Sequence, residues 1–414
     1  MTATACGLDF GTSNSTLGVA GRLIALEGTA VTLPSAVFWE ADGAAPRFGR
    51  AAIAAYLEGE DGRLLRGLKS TLGSGLVQER TRVGARSVSF REVLARFIGQ
   101  MKTRAETVLG GPLTQVVMGR PVHFVDDDPQ ADRAAEQVLA DIARDLGFAE
   151  VSFQYEPIAA ALDYETTVSA EELVLIVDIG GGTSDFSVLR VGPDRARLAD
   201  RSADILANDG IRLGGTDFDR QFSLAEVMPD LGYLAPTMNG QGVMPRHYYL
   251  DLATWHRINM LYTDRVMADM KALRRQIDAP ERLDRMIRVL EGCHGHALAI
   301  EVERAKIALS HDDATRLMVR ALTGGPNPVV TRASLEAALA GAMDRVAQRI
   351  GQVLTMAATP VDRIGTVFLT GGSSALPALA AAVARAVPRA RLARGDDLAS
   401  VGTGLALEAA RRFG

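Results

Sequence analysis

The apolar positions of this chain fall into two rhythms. Short runs, unbroken or alternating, mark strands: residues 4–10, 15–20 and 22–27 read as a three-strand meander, with another strand at Pro34–Phe38. Helical spacing takes over in the alanine-rich stretch opened by Phe48-Gly49-Arg50 and closed near Gly59. Lys69 falls in a short polar stretch, and a strand end at Ser87–Phe90 leads into a helix through about residue 107. Gln115–Val122 reads as a strand broken by Gly119 and Pro121. Ala135, Val138, Leu139, Ile142 and Leu146 then share one helical face that Gly147 stops. Val151–Tyr155 is a short strand, and Pro157 suits the first turn of the helix that follows. A meander followed by strand, helix, strand and helix predicts an α/β chain with helices packed on a mixed sheet.

The pattern sharpens at Leu173–Leu189. An apolar run meets Asp178, then Gly180-Gly181-Gly182, Thr183 and Asp185, and alternating apolar residues resume. This predicts a buried strand, a turn too tight for side chains and a return strand. Glycines let the backbone approach a bulky group, and their N–H groups can converge on an anion. Asp178 and Asp185 would repel that anion unless a cation lay between them, so a phosphate with a divalent metal is the simplest occupant. The stretch Gly7–Val19 repeats the grammar with Asp9, Gly11, Thr12, Ser13, Asn14 and Ser15. Two such hairpins, about 170 residues apart, predict two related lobes gripping one ligand.

After the second hairpin comes Gly214-Gly215-Thr216-Asp217-Phe218-Asp219, where Thr216 is expected to cap a helix with Asp219 three positions on. Residues 220–310 read as mostly helical, an inserted subdomain in which Tyr248, Tyr249, Trp255 and His256 occupy a Pro- and aromatic-containing connection. Leu339, Met343, Val346, Ile350 and Val353 stripe the helix after Thr331. Val367–Thr370 is a strand entering Gly371-Gly372-Ser373, and helices near 376–386 and 397–411 follow.

Composition narrows the function classes. A chain of 414 residues accommodates two large domains, and 47% apolar with 23% charged residues is ordinary globular usage. A formal net charge of −5 gives no nucleic-acid footprint, and two cysteines build no disulfide framework. Without a leader pattern or a membrane-length apolar run, a soluble, cytoplasmic protein with no membrane or nucleic-acid partner is expected. A Walker A sequence is missing, and no G-x-G-x-x-G directly follows a strand, which disfavours P-loop and dinucleotide-binding readings. Cys293-His294-Gly295-His296 is incomplete as a zinc site, so a helix-start or packing role is expected there.

Four glycine-hydroxyl turns adjoin strands, at Gly11, Gly180–Gly182, Gly214–Gly215 and Gly371–Gly372. If they converge, the two hairpins clamp phosphates. Asp9, Asp178 and Asp185 are then the carboxylates for metal-bound waters, and Thr12 and Thr183 are donors to phosphate oxygens. Lys69 is a candidate to balance γ-phosphate charge, with Glu156 or Asp178 orienting the attacking water.

The chain resembles the nucleotide-binding domain of the Hsp70 family, within the actin-like ATPase superfamily, and among these the short bacterial Hsp70-like proteins without a conventional peptide-binding domain. The resemblance rests on Gly7–Ser15, Glu156–Leu162, Val177–Asp185, Leu213–Asp219, Glu303–Ser310 and Leu369–Ser374. It implies two lobes with duplicated ribonuclease-H-like cores, each a mixed five-stranded sheet with flanking helices and an inserted subdomain. Lobe I would span 1–172, with a core of 1–35 and 110–172 and an insertion of about 36–109. Lobe II would span 173–396, with a core of 173–215 and 311–396 and a helical insertion of about 216–310. A C-terminal helix at 397–414 would pack back on lobe I.

The resemblance also implies ATP/ADP and Mg2+ as ligands and slow ATP hydrolysis that opens and closes the lobes. Lys69, Glu156, Asp178 and Thr183 would be catalytic, and Asp9, Asp178 and Asp185 would order the metal's water shell. Gly11, Thr12, Ser13, Asn14, Gly180, Gly181, Gly182, Thr183, Gly214 and Gly215 would line phosphate and ribose. Glu303, Lys306, Ser310, Gly371, Gly372 and Ser373 would frame ribose and adenine, with Asp396 near the adenosine. A partner or client protein is implied, with regulators of the nucleotide-exchange or J-domain type. The alternative is a nucleotide-sensing scaffold with negligible turnover.

Two departures bear on the base. Ile307 and Ala375 stand where the family has arginines that stack on adenine, so binding is expected to be weaker or less adenine-selective. The chain stops at Gly414 directly after its last helix, with no apolar linker or β-rich substrate domain, so a self-contained peptide clamp is not expected.

Overall fold

The computed structural model describes residues 4–41, 45–83, 86–125, 128–198, 201–240, 242–395 and 399–414. Two compact units are present. One comprises Met1–Gly215, Arg345–Ala375 and Leu379–Gly414, and the other comprises Thr216–Asp344 with Leu376–Ala378.

The first unit holds two sheets built to one plan. β1 (Ala5–Asp9), β2 (Asn14–Val19), β3 (Arg22–Leu23), β4 (Thr32–Pro34), β5 (Gln115–Arg120) and β6 (Glu150–Tyr155) form a sheet of order β6-β5-β1-β2-β3, with β4 branching from β2. β7 (Glu172–Ile179), β8 (Ser184–Val191), β9 (Ile205–Ile211), β10 (Thr366–Thr370) and β11 (Arg391–Arg394) form a sheet of order β11-β10-β7-β8-β9. In each, the first strand pairs antiparallel with the next in sequence and parallel with a strand reached by a long crossover. The repeat seen in the hairpins therefore extends to whole sheets, and the chain is a two-lobed α/β fold of the actin- and Hsp70-like kind. β7 lies between β8 and β10, and Val174–Val177 are fully buried, which is why the run has no polar alternation.

Helices cover these sheets. Phe90–Leu109 is capped by Ser89, whose side chain accepts the Glu92 N–H, and it sends Val93, Leu94, Phe97, Ile98 and Met101 into the first core. There the Phe97 ring meets Phe10 and Phe48 at 5.8 and 6.4 Å between centroids. Pro129–Asp145 carries Ala135, Leu139 and Ile142 inward, as its spacing requires. The C-terminal helix Ser400–Phe413 packs Leu405 and Ala409 against Val117 and Ala159.

Several local expectations are corrected. The third strand is only Arg22–Leu23, because the chain turns away through a tight Glu27–Ala30 turn in which Gly28 has φ +61°. Gly119 does not break its strand: it stays in register with Gln154, and the ladder ends at Pro121, which has no N–H to donate. Between residues 36 and 89 the chain adds a three-stranded sheet (Ala36–Glu40, Arg47–Phe48, Gly62–Arg66) and a hairpin (Arg80–Val83, Arg86–Ser89).

The second unit is mostly helical, with Arg246–Leu252, Asp264–Leu273, Pro280–Glu291 and Gly295–Leu309 and a small Ala314–Arg316/Val329–Thr331 hairpin. Tyr248 and Tyr249 are buried on a helix rather than in a connection, and Trp255 and His256 begin the 3-10 helix Trp255–Leu261. The helix Gly215–Glu226 starts one residue before Thr216, which places Thr216 in its first turn instead of at its cap. The two histidines take the helix-start and packing roles, while Cys293 is exposed: His294 precedes Gly295–Leu309, and His296 is buried edge-on to Trp255 at 4.8 Å.

Candidate functional site

The turn after β1 is held by two serines, Ser15 and Ser35. Gly11 N–H donates to Ser15 Oγ at 3.2 Å, Ser35 Oγ donates to Gly11 O at 2.7 Å, and Ser35 N–H donates to Ser13 O at 2.8 Å. The turn after β7 closes with Gly180 N–H donating to Thr183 O at 3.0 Å. Two further turns are tied to that hairpin. Ser184 Oγ donates to Leu213 O at 2.6 Å, Gly215 N–H to Gly180 O at 2.9 Å, and Ser373 N–H to Ile179 O at 3.1 Å.

These turns meet. A Cβ on Gly181 would collide with the Ser13 hydroxyl, and one on Gly214 would stand 2.6 Å from the Gly182 nitrogen. A Cβ on Gly371 would collide with the Asp178 carboxylate. All four glycine-hydroxyl turns found in the sequence therefore converge within the first unit, together with Thr12, Ser13, Asn14, Gly372 and Ser373 beside them.

Beneath the turns lies a buried charge cluster. β7 and β8 set Asp178 directly opposite Asp185, and Asp185 Oδ1 accepts the Val122 N–H at 2.6 Å. The 3-10 turn Leu68–Thr71 delivers Lys69 and the N-terminus of the helix Glu156–Glu165 delivers Glu156; the two form an ion pair. Gly119 makes room for it, since a Cβ there would stand 3.3 Å from Glu156 Cγ. Lys69, Glu156, Asp178 and Asp185 are 7%, 8%, 5% and 1% exposed.

The electrostatics follow from this crowding. Burial first, then the Glu156 charge, pushes Asp9 up to about 7, with Lys69 opposing. Burial and Glu156 likewise raise Asp185 to about 7, against the Val122 N–H, Lys69 and the Thr183 hydroxyl. Asp178 is driven well above the carboxylate range by burial, Glu156, Asp185 and Asp9. Burial works against the Lys69 ammonium, but Glu156 and Asp9 outweigh it and raise its pKa.

One lysine thus faces four carboxylates, a donor set that suits a divalent cation. Among the described residues no three His, Cys, Asp or Glu are spaced to grip a metal directly. Above the cluster a crevice is lined by Thr12, Lys69, Ser70, Gly182, Thr183 and Arg212, with Pro121 and Phe124 as its wall.

More than half of the chain, residues 68–226 and 291–410, matches the family model described as "Hsp70 protein". The chain belongs to the Hsp70 family. Among curated relatives of this Hsp70-family chain, the "Chaperone protein HscA homolog" of Azoarcus sp. (strain BH72) is 34% identical over 241 residues, 52% of this chain and 36% of the relative. The "Chaperone protein HscA homolog" of Pseudomonas aeruginosa (strain LESB58) is 35% identical over 240 residues, with the same 52% and 36% coverage. The matched segment therefore spans about a third of the length of these Hsp70-type relatives.

The remaining sequence candidates belong to the second unit or fall outside the described residues. Glu303 and Lys306 are on the helix Gly295–Leu309 of the second unit, with Ser310 at its end, and Lys306 pairs with Asp219 at 2.8 Å. Ile307 is exposed on the same helix. Asp396 lies outside the described residues. Sequence reasoning missed Ser35, Ser184 and Arg212, which brace the turns. A hydroxyl placed among apolar strand residues was the available signal for the two serines, and Arg212 carried none.

Proposed function

We propose that this Hsp70-family chain binds ATP and ADP and hydrolyses ATP slowly, with Mg2+, in the cleft where the two hairpins meet. The observation that carries this reading is the Lys69–Glu156 pair among Asp9, Asp178 and Asp185, beneath four converging glycine turns. N–H groups and hydroxyls of the turns at Gly11–Asn14 and Gly180–Thr183 donate to phosphate oxygens. Lys69 balances phosphate charge, and Glu156, held by Lys69, orients the attacking water. Asp9, Asp178 and Asp185 accept from waters around the cation. The cation, when bound, neutralises charge on the transferred phosphoryl group.

The same reading takes lobe I as residues 1–172 and lobe II as 173–396, with hydrolysis altering the angle between them and a partner protein sensing the change. HscA-type relatives support regulators of the co-chaperone kind for that partner. The roles of Glu303, Lys306 and Ser310 toward ribose and adenine rest on the family resemblance. Ile307 and Ala375 offer no guanidinium plane, so the site discriminates ATP from GTP weakly.

Single-turnover hydrolysis with Mg2+, comparing the native chain with Lys69→Ala, tests the proposal, with ATP and GTP affinities titrated alongside. Turnover should vanish in the variant while nucleotide binding persists. Binding without turnover in either protein would replace the ATPase reading with a nucleotide sensor or scaffold. Strictly adenine-specific binding would remove the weak-selectivity claim.

A further inference from the structure

Lys69 is the one cation of the buried cluster, yet it arrives on a single short turn. The turn Leu68–Thr71 is entered through Gly67 in the left-handed region, φ +63°, and most of its carbonyls are used internally. Gly67 O accepts from Ser70 N–H at 3.0 Å, Leu68 O from the Thr71 hydroxyl at 2.7 Å, and Lys69 O from Leu72 N–H at 3.1 Å. Thr71 O accepts from Ser74 N–H at 3.3 Å. The Ser70 carbonyl is turned outward instead, and Arg212 Nη2 donates to it at 2.6 Å across 142 residues of sequence.

Arg212 directly follows β9 and precedes Leu213, whose carbonyl is fixed by Ser184 of the second hairpin. Ser70 also faces that hairpin through its side chain, its hydroxyl lying 3.5 Å from where a Cβ of Gly182 would stand. Arg212 and the lysine turn line one crevice together with Thr12 and Thr183. The lysine turn comes from the first lobe's insertion, and its outer edge is fastened to the second lobe's glycine turns.

We infer that Arg212 is a positioning residue for Lys69: its guanidinium straps the Ser70 carbonyl to the end of β9 and fixes the turn that presents the lysine to Glu156. The inference rests on the ATPase reading for its kinetic consequence, but not for its structural one. A freed turn can withdraw the ammonium without touching the nucleotide contacts made by the hairpins. Hydrolysis should therefore suffer more than binding.

The experiment compares the full chain with Arg212→Ala and Arg212→Lys in two readouts. The first is hydrogen exchange at residues 67–74, with and without ATP and Mg2+. Arg212→Ala should lose protection there and keep it in β7 and β8, whereas unchanged protection at 67–74 overturns the strap. The second is single-turnover hydrolysis alongside nucleotide affinity. Arg212→Ala should slow the chemical step on the order of 10- to 100-fold with ATP affinity changed by less than about threefold. Arg212→Lys should recover part of the rate through its remaining donor. Loss of ATP affinity in parallel with rate overturns the inference in favour of a direct phosphate contact. Native protein that binds ATP without hydrolysing it sinks the ATPase reading alone, and exchange at 67–74 still decides the strap.

Discussion

Asp9 and Asp185 are pushed up to about 7, and Asp178 well above the usual carboxylate range, because burial and the Glu156 charge penalise their ionised forms. A carboxyl held above its unfolded value, about 4, stabilises the fold fully below that pH, and the contribution is lost as pH rises through the folded value. Without nucleotide or metal, thermal stability should fall between about pH 4 and pH 7 as these groups ionise, and added Mg2+ should flatten the decline. Asp185→Asn removes one of the repelling charges while its amide oxygen still faces the Val122 N–H. It should stabilise the ligand-free protein at pH 8 by on the order of a few kcal/mol, read as a higher melting temperature, and weaken Mg2+-dependent nucleotide binding. Melting curves across pH decide this; an unchanged or lower melting temperature for the variant at pH 8 would count against a cluster overloaded with negative charge. The three aspartates were legible in the sequence because each flanks a glycine turn. Lys69 and Glu156 were candidates from charge chemistry and from the family resemblance, but their pairing was not legible: they meet across 87 residues. Ser35 and Arg212 act across 24 and 142 residues by bonding main-chain carbonyls, which leaves no trace in local pattern.

At the scale of elements, the helix Glu156–Glu165 joins the chemistry to the scaffold. Its first residue meets Lys69, and its last is buried under the segment between β8 and β9. Glu165 accepts the Gly192 N–H at 2.8 Å and two Arg201 donors at 2.6 and 2.9 Å, while Arg201 also bonds Asp204. Removing one member of such a buried network strands the others in low dielectric. Glu165→Ala should therefore cost about 3–5 kcal/mol, read as a lower urea midpoint with an unchanged slope. A shift under about 1 kcal/mol would show that Arg201 is adequately served by Asp204 and solvent. The helix itself was readable from Pro157 at its first turn, and so was the central strand β7 from its apolar run. The edge strand β3 was over-extended because Ile24 and Leu26 continue an apolar pattern after the ladder has ended. The aromatic segment was misjudged for a similar reason: Pro245 begins a helix instead of preventing one.

For the molecule as a whole, the duplication visible in two hairpins proved to run through two five-strand paths of the same order and direction. Periodicity carried the strands, but the pairing of β1 with β5 and of β7 with β10 depends on crossovers no local pattern encodes. The leading hairpin of each sheet brings a glycine turn to the same point, so a ligand held by both links their stabilities. A nucleotide at 100 times its Kd adds about 2.7 kcal/mol to the folded state, and the melting temperature should rise accordingly when ATP and Mg2+ are added. Gly181→Ala tests whether that linkage needs the turns in contact, because the new Cβ would collide with the Ser13 hydroxyl and lie 3.0 Å from Thr12 Cβ. Overpacking there should lower ligand-free stability by about 1–3 kcal/mol and abolish most of the nucleotide-induced rise, since the hairpins can no longer close on one phosphate chain. A variant that keeps the full native increment would mean that one lobe alone holds the nucleotide, and the duplicated hairpin would then be scaffold rather than half of a clamp.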